Sequence, residues 1–153
     1  MKRKHDWNTL ENYLNVHERV LRRYSGNMLT VKTYSIRKIT DYFRTLRAED
    51  IHFRTFNGNQ IRVDIRKNIE IDPSNKKRPR ARTYDYTYSA SIPNGEKLIR
   101  YCSPHEDAKP NAPDHHQFHH KHIFKGGKEK IQKIADDEWP HVDEFLNEVL
   151  EMF

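Results

Sequence analysis

The chain has 153 residues, which is enough for one domain with its own hydrophobic core. Charged residues make up 33% of it and aromatic residues 11%, and the aromatic content argues against a disordered chain. No apolar run approaches 18 residues, so no membrane-spanning helix is expected. The N-terminus lacks the apolar segment of a secretory signal, and a single cysteine excludes an internal disulfide bond. We therefore expect a cytoplasmic protein that does not contact membranes.

The net charge of +6 is unevenly distributed along the chain. Residues 129–153 contain eight acidic and two basic residues, whereas residues 1–128 contain 26 basic and 14 acidic residues. A body with a net charge of +12 attracts polyanions, and nucleic acid is the commonest polyanion inside cells. We expect a nucleic-acid-binding surface on the body and none on the acidic tail.

Residues 6–24 are predicted to form an amphipathic helix capped by Asp6, because apolar and aromatic residues recur at spacings of three and four. Residues 35–47 are predicted to form a second helix, whose apolar stripe is Ile36, Ile39, Phe43 and Leu46. Together they would make an N-terminal helical extension over residues 1–48.

The periodicity then changes to two, which is typical of strands. Asn57-Gly58 is a strong hairpin signal, and beyond it isoleucine and valine keep one parity from Ile61 to Ile71, broken only by Lys67. Further turns are expected at residues 93–95 and 126–127. The predicted strands are residues 51–54, 61–71, 81–92, 97–102 and 118–124, which make an antiparallel sheet over residues 49–125 with a His-rich loop.

The C-terminal segment, residues 128–153, is predicted to be helical and acidic. Residues 128–135 suit a short helix, and residues 140–153 carry a strong amphipathic pattern. The whole chain, 1–153, is thus predicted to be one α+β domain. It has four to five antiparallel strands, two N-terminal helices and a C-terminal amphipathic helix.

Two features could contact nucleic acid. The first is a basic loop whose residues are either a solvated linker or a phosphate-contacting arm: Lys76, Lys77, Arg78, Arg80 and Arg82. The second is a row of Tyr84, Tyr86 and Tyr88, predicted to share one strand face. Such a row either packs against a helix or forms a platform for base stacking.

Six of the ten histidines lie between His105 and His122. One hypothesis is a divalent metal such as Zn or Mn, held by His116, His120 and His122, because imidazole is a common metal ligand. No motif with a defined ligand spacing supports it. The lone Cys102 is predicted to be a small core residue rather than a nucleophile.

The other hypothesis is phosphodiester cleavage without a metal. Histidine titrates near neutrality and can act as a general acid or base, and a cation can stabilise the charge that develops on the phosphate. The candidate catalytic residues are His119, His120, Lys121, His122 and Arg100. A third alternative is a nucleic-acid-binding module without catalysis.

The chain from about Gln60 onward resembles the TumE family of toxins from toxin–antitoxin pairs. The matching pieces are the Tyr84–Tyr88 segment, Asn94-Gly95, Leu98–Tyr101, Pro104-His105, the Phe118–His122 block and the closing amphipathic helix. The Phe-His-His-Lys-His block is the specific part of this resemblance. The loop before His119 is longer than the family pattern, and residues 1–59 go beyond it.

The resemblance implies a toxin that inhibits growth and a cognate antitoxin, expected to be a helix-turn-helix protein. RNA as the substrate is inferred from the histidines and the basic charge. The expected function is therefore a toxin-type endoribonuclease that needs no cofactor. A homodimer is left open, with the N-terminal helices as one candidate interface.

Overall fold

The computed structural model describes residues 3–104 and 114–153. Within these ranges one sheet of eight strands is accompanied by two α-helices. The elements are β1 (Asn8–Thr9), α1 (Leu10–Tyr24), β2 (Met28–Lys38), β3 (Phe43–Arg54), β4 (Gln60–Asp72), β5 (Arg80–Ser91), β6 (Lys97–Cys102), β7 (His120–Lys125), β8 (Lys128–Lys133) and α2 (Val142–Leu150). Short 3-10 turns occupy Ser25–Asn27 and Asp114–Gln117.

The sheet is an antiparallel meander, since strands β2 to β8 lie side by side in chain order. The short β1 pairs with the beginning of β5, at Ala81 and Arg80. β6 pairs with the other end of β5, from Thr87 to Ser91. Short turns join β3 to β4, β5 to β6 and β7 to β8, as antiparallel pairs allow, whereas residues 103–119 connect β6 to β7.

One face of the sheet, here called the inner face, is covered by α1 and α2. On β4 it presents isoleucine and valine at alternate positions, and Ile61, Val63 and Ile69 are fully buried there. The Phe145 ring of α2 packs on Tyr88 with ring centroids 5.4 Å apart. The opposite face, here called the outer face, presents the polar members of the same strands, as strand alternation requires.

The register of β5 with β4 shifts at Tyr84, which the pairing bypasses. Because a one-residue slip exchanges faces, Tyr84 lies on the outer face while Tyr86 and Tyr88 lie on the inner face. Tyr84 is 40% exposed, whereas Tyr86 and Tyr88 are 3% and 0% exposed. The prediction that the three tyrosines share one face is therefore wrong.

The second N-terminal helix, predicted at residues 35–47, does not exist. That segment is the end of β2, a turn, and the start of β3. The turn closes with the backbone N–H groups of Ile39 and Thr40 donating to the carbonyl of Phe43 at 3.0 and 3.2 Å. Its β-branched and aromatic residues favour a strand, and pairing of β2 along β3 outweighs a short helical stripe.

The short helix predicted at residues 128–135 is also wrong, because Lys128–Lys133 is strand β8. It pairs with β7 through a two-residue turn in which Gly126 and Gly127 have φ of 58° and 76°. Positive φ at both turn residues is the geometry of a tight hairpin and suits glycine. The sheet therefore has eight strands where four to five were predicted, and one N-terminal helix where two were predicted.

The two helices that do form have shorter bounds than predicted. α1 begins at Leu10 and not near Asp6, because Thr9 is its N-cap and accepts a hydrogen bond from the Asn12 N–H at 3.1 Å. α2 covers nine residues of the predicted 140–153. Neither helix in the described part of the chain combines the length and the apolar character that crossing a membrane requires.

Candidate metal centre

Strand alternation divides the His-His-Lys-His block between the two faces of the sheet. Lys121 points to the inner face, where its Nζ donates to Glu148 Oε2 at 2.8 Å and lies 5.0 Å from the Tyr101 ring centroid. His119 lies on the same side, with its Nδ1 2.9 Å from the Tyr86 hydroxyl. Burial lowers the pKa of His119, and the nearby aspartates oppose this shift. These two residues are held among core rings and a helix carboxylate.

His120 and His122 point to the outer face and meet Cys102 there. Cys102 is directly opposite His120 in the β6–β7 register, and Arg100 is opposite His122. The Cys102 sulfur and one ring nitrogen from each histidine all lie within 4.8 Å of one another. Zn²⁺ binds thiolate at about 2.3 Å and imidazole at about 2.0–2.1 Å, so a closure of about an ångström would let the three atoms share one ion.

Both histidines have the far ring nitrogen occupied. His120 Nδ1 donates to the Phe118 carbonyl at 2.9 Å, and His122 Nδ1 donates to the carboxylate of Glu129. Each ring therefore carries its lone pair on Nε2, the nitrogen that can bind an ion. Metal-binding histidines in proteins are oriented in this way by a carbonyl or a carboxylate. The donor set of one thiol and two oriented imidazoles fits a zinc-type ion.

Burial shapes the chemistry of this cluster. Cys102 is 2% exposed and His120 is fully buried. Burial raises the pKa of the Cys102 thiol, and the charge and hydrogen bond of Arg100 oppose that rise. A buried thiol with an adjacent guanidinium is suited to losing its proton when a cation arrives.

The 3-10 turn Asp114–Gln117 brings two further histidines to the cluster. The His115 ring centroid lies 5.0 Å from that of His120 and 5.4 Å from that of His122, while His116 is 6.5 Å from His120. His115 is therefore better placed than His116 to add a fourth nitrogen. His105 lies outside the described residues.

Cys102 is the candidate metal ligand that sequence reasoning missed. It was assigned to the core, and it is buried, but its partner across the strands is a histidine. The signal that could have found it is the alternation of β6, which puts Arg100 and Cys102 on one face. Its pairing with β7 was hidden because residues 103–119 separate the two strands in the sequence.

A polar groove of about 490 Å³ lies next to the cluster and includes Cys102 in its wall. Outer-face residues form most of it, and Tyr86 and His119 also line it. One row of side chains crosses the sheet there through successive register pairs: Arg47, Arg66, Thr87, Cys102, His120 and Lys133. Arg66 and Asn68 line the groove from β4. An extended anionic chain lying along this row would meet guanidinium groups on one side of the cysteine and histidine cluster.

The basic loop lies far from this cluster. Arg80 and Thr87 are seven residues apart on β5, about 23 Å at the usual strand rise. Arg80 pairs with Asp72 at 3.1 Å, and Arg82 pairs with Glu70 at 2.9 Å. Lys76, Lys77 and Arg78 lie in the turn before β5. The structure therefore does not bring this loop together with the His-rich block.

The predicted stacking platform is not available as a surface. Tyr86 and Tyr88 are core residues, so the alternative interpretation, a strand face packed against a helix, holds for both. Tyr84 lies on the outer face, where its ring meets Phe43 edge-on at 5.5 Å. Tyr84 and Tyr86 both line the polar groove beside the cluster, and Tyr86 does so from a side chain that is otherwise buried.

Comparison with known proteins gives no match: no family model, no curated protein and no solved structure matches this chain.

Proposed function

We propose that this protein is a metal-dependent ribonuclease whose metal is held by Cys102, His120 and His122. We base the proposal on one observation, the convergence of these three donors with both imidazoles already oriented by acceptors on their far nitrogens. A zinc-type ion in such a site supplies Lewis-acid polarisation of a phosphoryl oxygen. The protein's own residues bind and orient the nucleic acid.

The charge distribution supports nucleic acid as the substrate. The acidic tail is folded onto the body and pairs with its cations, as in Lys4–Glu144 at 2.8 Å and Lys121–Glu148 at 2.8 Å. Arg66 and Arg100 remain on the outer face, in the groove and beside the cluster. They would position the backbone phosphates, while the fixed donors hold the ion.

The metal-free alternative, general acid–base catalysis by the His-His-Lys-His block, has less support from the geometry. A proton-transfer group must come within hydrogen-bond reach of the substrate. His120 is 0% exposed, and Lys121 is held on the inner face by Glu148. The block therefore does not present one catalytic surface.

The role as a toxin with a cognate helix-turn-helix antitoxin remains a proposal that rests on the resemblance of the Phe118–His122 block. Induced expression in a bacterial host would test it. We expect growth arrest with the natural chain and normal growth with a His122→Ala variant present at equal abundance. Growth arrest by both would show that toxicity does not depend on the metal centre.

The ribonuclease proposal is tested by metal analysis and RNA cleavage on the same samples. After dialysis against trace Zn²⁺, we expect about one ion per chain, cleavage of single-stranded RNA, and loss of cleavage in EDTA that Zn²⁺ or Mn²⁺ restores. Cys102→Ser and His122→Ala should lower both metal content and cleavage by about 100-fold.

His52→Ala is the matched control, because His52 is an outer-face histidine on β3, paired with Asp50 and outside the cluster. It should retain both metal and activity. Full cleavage in EDTA would contradict the role of the metal. One bound ion without any cleavage would support the metal centre and contradict the ribonuclease activity.

A further inference from the structure

Lys67 occupies a position on the inner face where the strand pattern calls for an apolar residue. It is 3% exposed and belongs to the inward row of β4, between Ile65 and Ile69. Lysine is almost never buried without a partner, because removing its charge from water is costly. A buried lysine at this position needs a hydrogen-bond acceptor or a negative charge near its amine.

The described residues do not supply a full compensating charge. The Nζ atom lies 5.7 Å from the Tyr13 ring centroid and 5.8 Å from the Tyr88 ring centroid, within the range of a cation–π contact. In residues 3–104 and 114–153 no hydrogen bond or ion pair reaches Nζ, and Asp143 acts only as a more distant charge. Burial lowers the pKa of Lys67 to about 7.

A cavity of about 300 Å³ opens beside Lys67, between the sheet, α1 and the start of α2. α1 lines it with Tyr13, Val16 and His17, and β5 lines it with Thr83. This volume is at the lower end of the range for small-molecule sites, so it suits a compact molecule and excludes a polymer.

His17 adds a hydrogen-bond acceptor to the same cavity. Its Nδ1 donates to the Tyr13 carbonyl at 3.3 Å, so Nε2 carries the lone pair. That Nε2 atom is buried and has no hydrogen-bond partner. Burial and the nearby Lys67 both lower the pKa of His17, which keeps the ring neutral near pH 7. A buried acceptor without a donor costs about 1–3 kcal/mol, and a buried cation without an anion costs more.

Four other charged side chains line the cavity, and two of them are carboxylates: Asp143 lies 3.9 Å from Arg23, and Asp6 accepts a hydrogen bond from the Trp7 N–H at 2.8 Å. Lys4 contacts Glu144 at 2.8 Å, and Arg82 contacts Glu70 at 2.9 Å. The buried groups left to recognise a ligand are thus the Lys67 amine and the His17 Nε2 atom, one a cationic donor and the other a neutral acceptor.

We propose that this cavity binds a small organic anion, a carboxylate or phosphate monoester that also carries a hydroxyl group. The acid group accepts hydrogen bonds from the Lys67 ammonium, and the hydroxyl donates to His17 Nε2. Tyr13 and Val16 cover the carbon skeleton. The site is on the opposite face from the metal centre, so it is independent of the proposed ribonuclease.

Titration of the full chain with matched probes tests the proposal. Lactate and glycerol 3-phosphate carry both groups, propionate and inorganic phosphate lack the hydroxyl, and glycerol lacks the acid. We expect saturable binding of at least one hydroxylated anion, seen by calorimetry and by amide shifts at residues 13–17, and none of glycerol. Which hydroxylated anion binds decides between carboxylate and phosphate.

Three variants make the test specific. Lys67→Met should weaken binding at least 10-fold, and Lys77→Met, which removes the same charge from the exposed turn, should leave it unchanged. His17→Phe should weaken the hydroxylated probe about 10-fold more than its partner without the hydroxyl. Thermal melts confirm that each variant is folded. Absence of saturable binding to the natural chain, or equal binding by the two Lys→Met variants, would overturn the site.

Discussion

The two faces of the sheet bury polar groups in opposite ways. On the inner face, Lys67 is a cationic group among aromatic rings, and no carboxylate of the described residues reaches its Nζ. On the outer face, His120 and His122 are buried or half-buried acceptors next to a thiol, and their far nitrogens are already satisfied. By charge, the inner site suits an anion and the outer site suits a cation. Complementary ligands would stabilise both.

The largest expected difference between the faces is in packing. Phe145→Ala should lower the free energy of unfolding by about 3–5 kcal/mol, because Phe145 is fully buried and contacts Tyr88 and Tyr101. Thr45→Ala on the outer face is the control. It removes one hydrogen bond to Asn68 and should cost about 1 kcal/mol. Urea denaturation measures both, and equal losses would contradict an inner face that carries most of the stability.

The strands that carry this core were largely predictable. Isoleucine and valine alternate along β4, and the turns after β3 and β5 have strong signals, so β4, β5 and β6 were found close to their observed bounds. The helix prediction around Ile36 and Phe43 is wrong because the apolar spacing there fits both the helical and the strand period. Long-range pairing between β2 and β3 decides for the strand. The helix prediction for the β8 segment is wrong for another reason. The segment contains good helix formers such as lysine and glutamate, but its hairpin with β7 outweighs their propensity.

The outer site was only half predictable. Alternation along a strand already places His120 and His122 on one face, and the sequence shows both. The third donor, Cys102, depends on which residue of β6 faces His120, a non-local register that the long connection conceals. The bulge at Tyr84 was invisible for a similar reason, since a bulge is a property of two paired strands.

Replacing the inner cation should stabilise the protein. Lys67→Met removes a buried charge whose pKa is lowered from 10.5 to about 7, and we expect a gain on the order of 3 kcal/mol at pH 7. Between pH 7 and 9 the unfolded natural chain binds more protons than the folded chain, so its stability should rise with pH. The variant should lose that slope.

Denaturant melts at pH 7, 8 and 9 measure this effect. The charged and titratable groups around Lys67 are His5 in the N-terminal segment, Tyr13 and His17 on α1, Tyr88 on β5, and His141 and Asp143 at the start of α2. The two tyrosines have raised pKa values and stay protonated in this window. A variant less stable than the natural chain at every pH would indicate a structural role for the amine.

Binding of Zn²⁺ at the outer-face cluster should also stabilise the folded protein. A ligand that binds only the folded chain adds about 2.7 kcal/mol when its concentration is 100 times its dissociation constant. We expect Zn²⁺ to raise the melting temperature of the natural chain and of His52→Ala, and to leave Cys102→Ser unchanged. Mg²⁺, which prefers oxygen ligands, should have no effect. An equal rise in the melting temperature of Cys102→Ser would show that Zn²⁺ binds outside this cluster.

The smallest expected effect concerns Lys121, and it separates the two mechanisms most directly. Lys121 is on the inner face with Glu148, so Lys121→Met should cost about 1 kcal/mol of stability through this partly exposed ion pair. RNA cleavage should change less than about 3-fold, because the side chain does not reach the outer groove. General acid–base catalysis by the His-His-Lys-His block predicts a loss of about 100-fold or more instead. Glu148→Gln breaks the same pair from the other side and is the matched control. If cleavage falls in Lys121→Met but not in Glu148→Gln, the lysine acts on the substrate. RNA is then cleaved on the inner face of β7 and not in the outer groove.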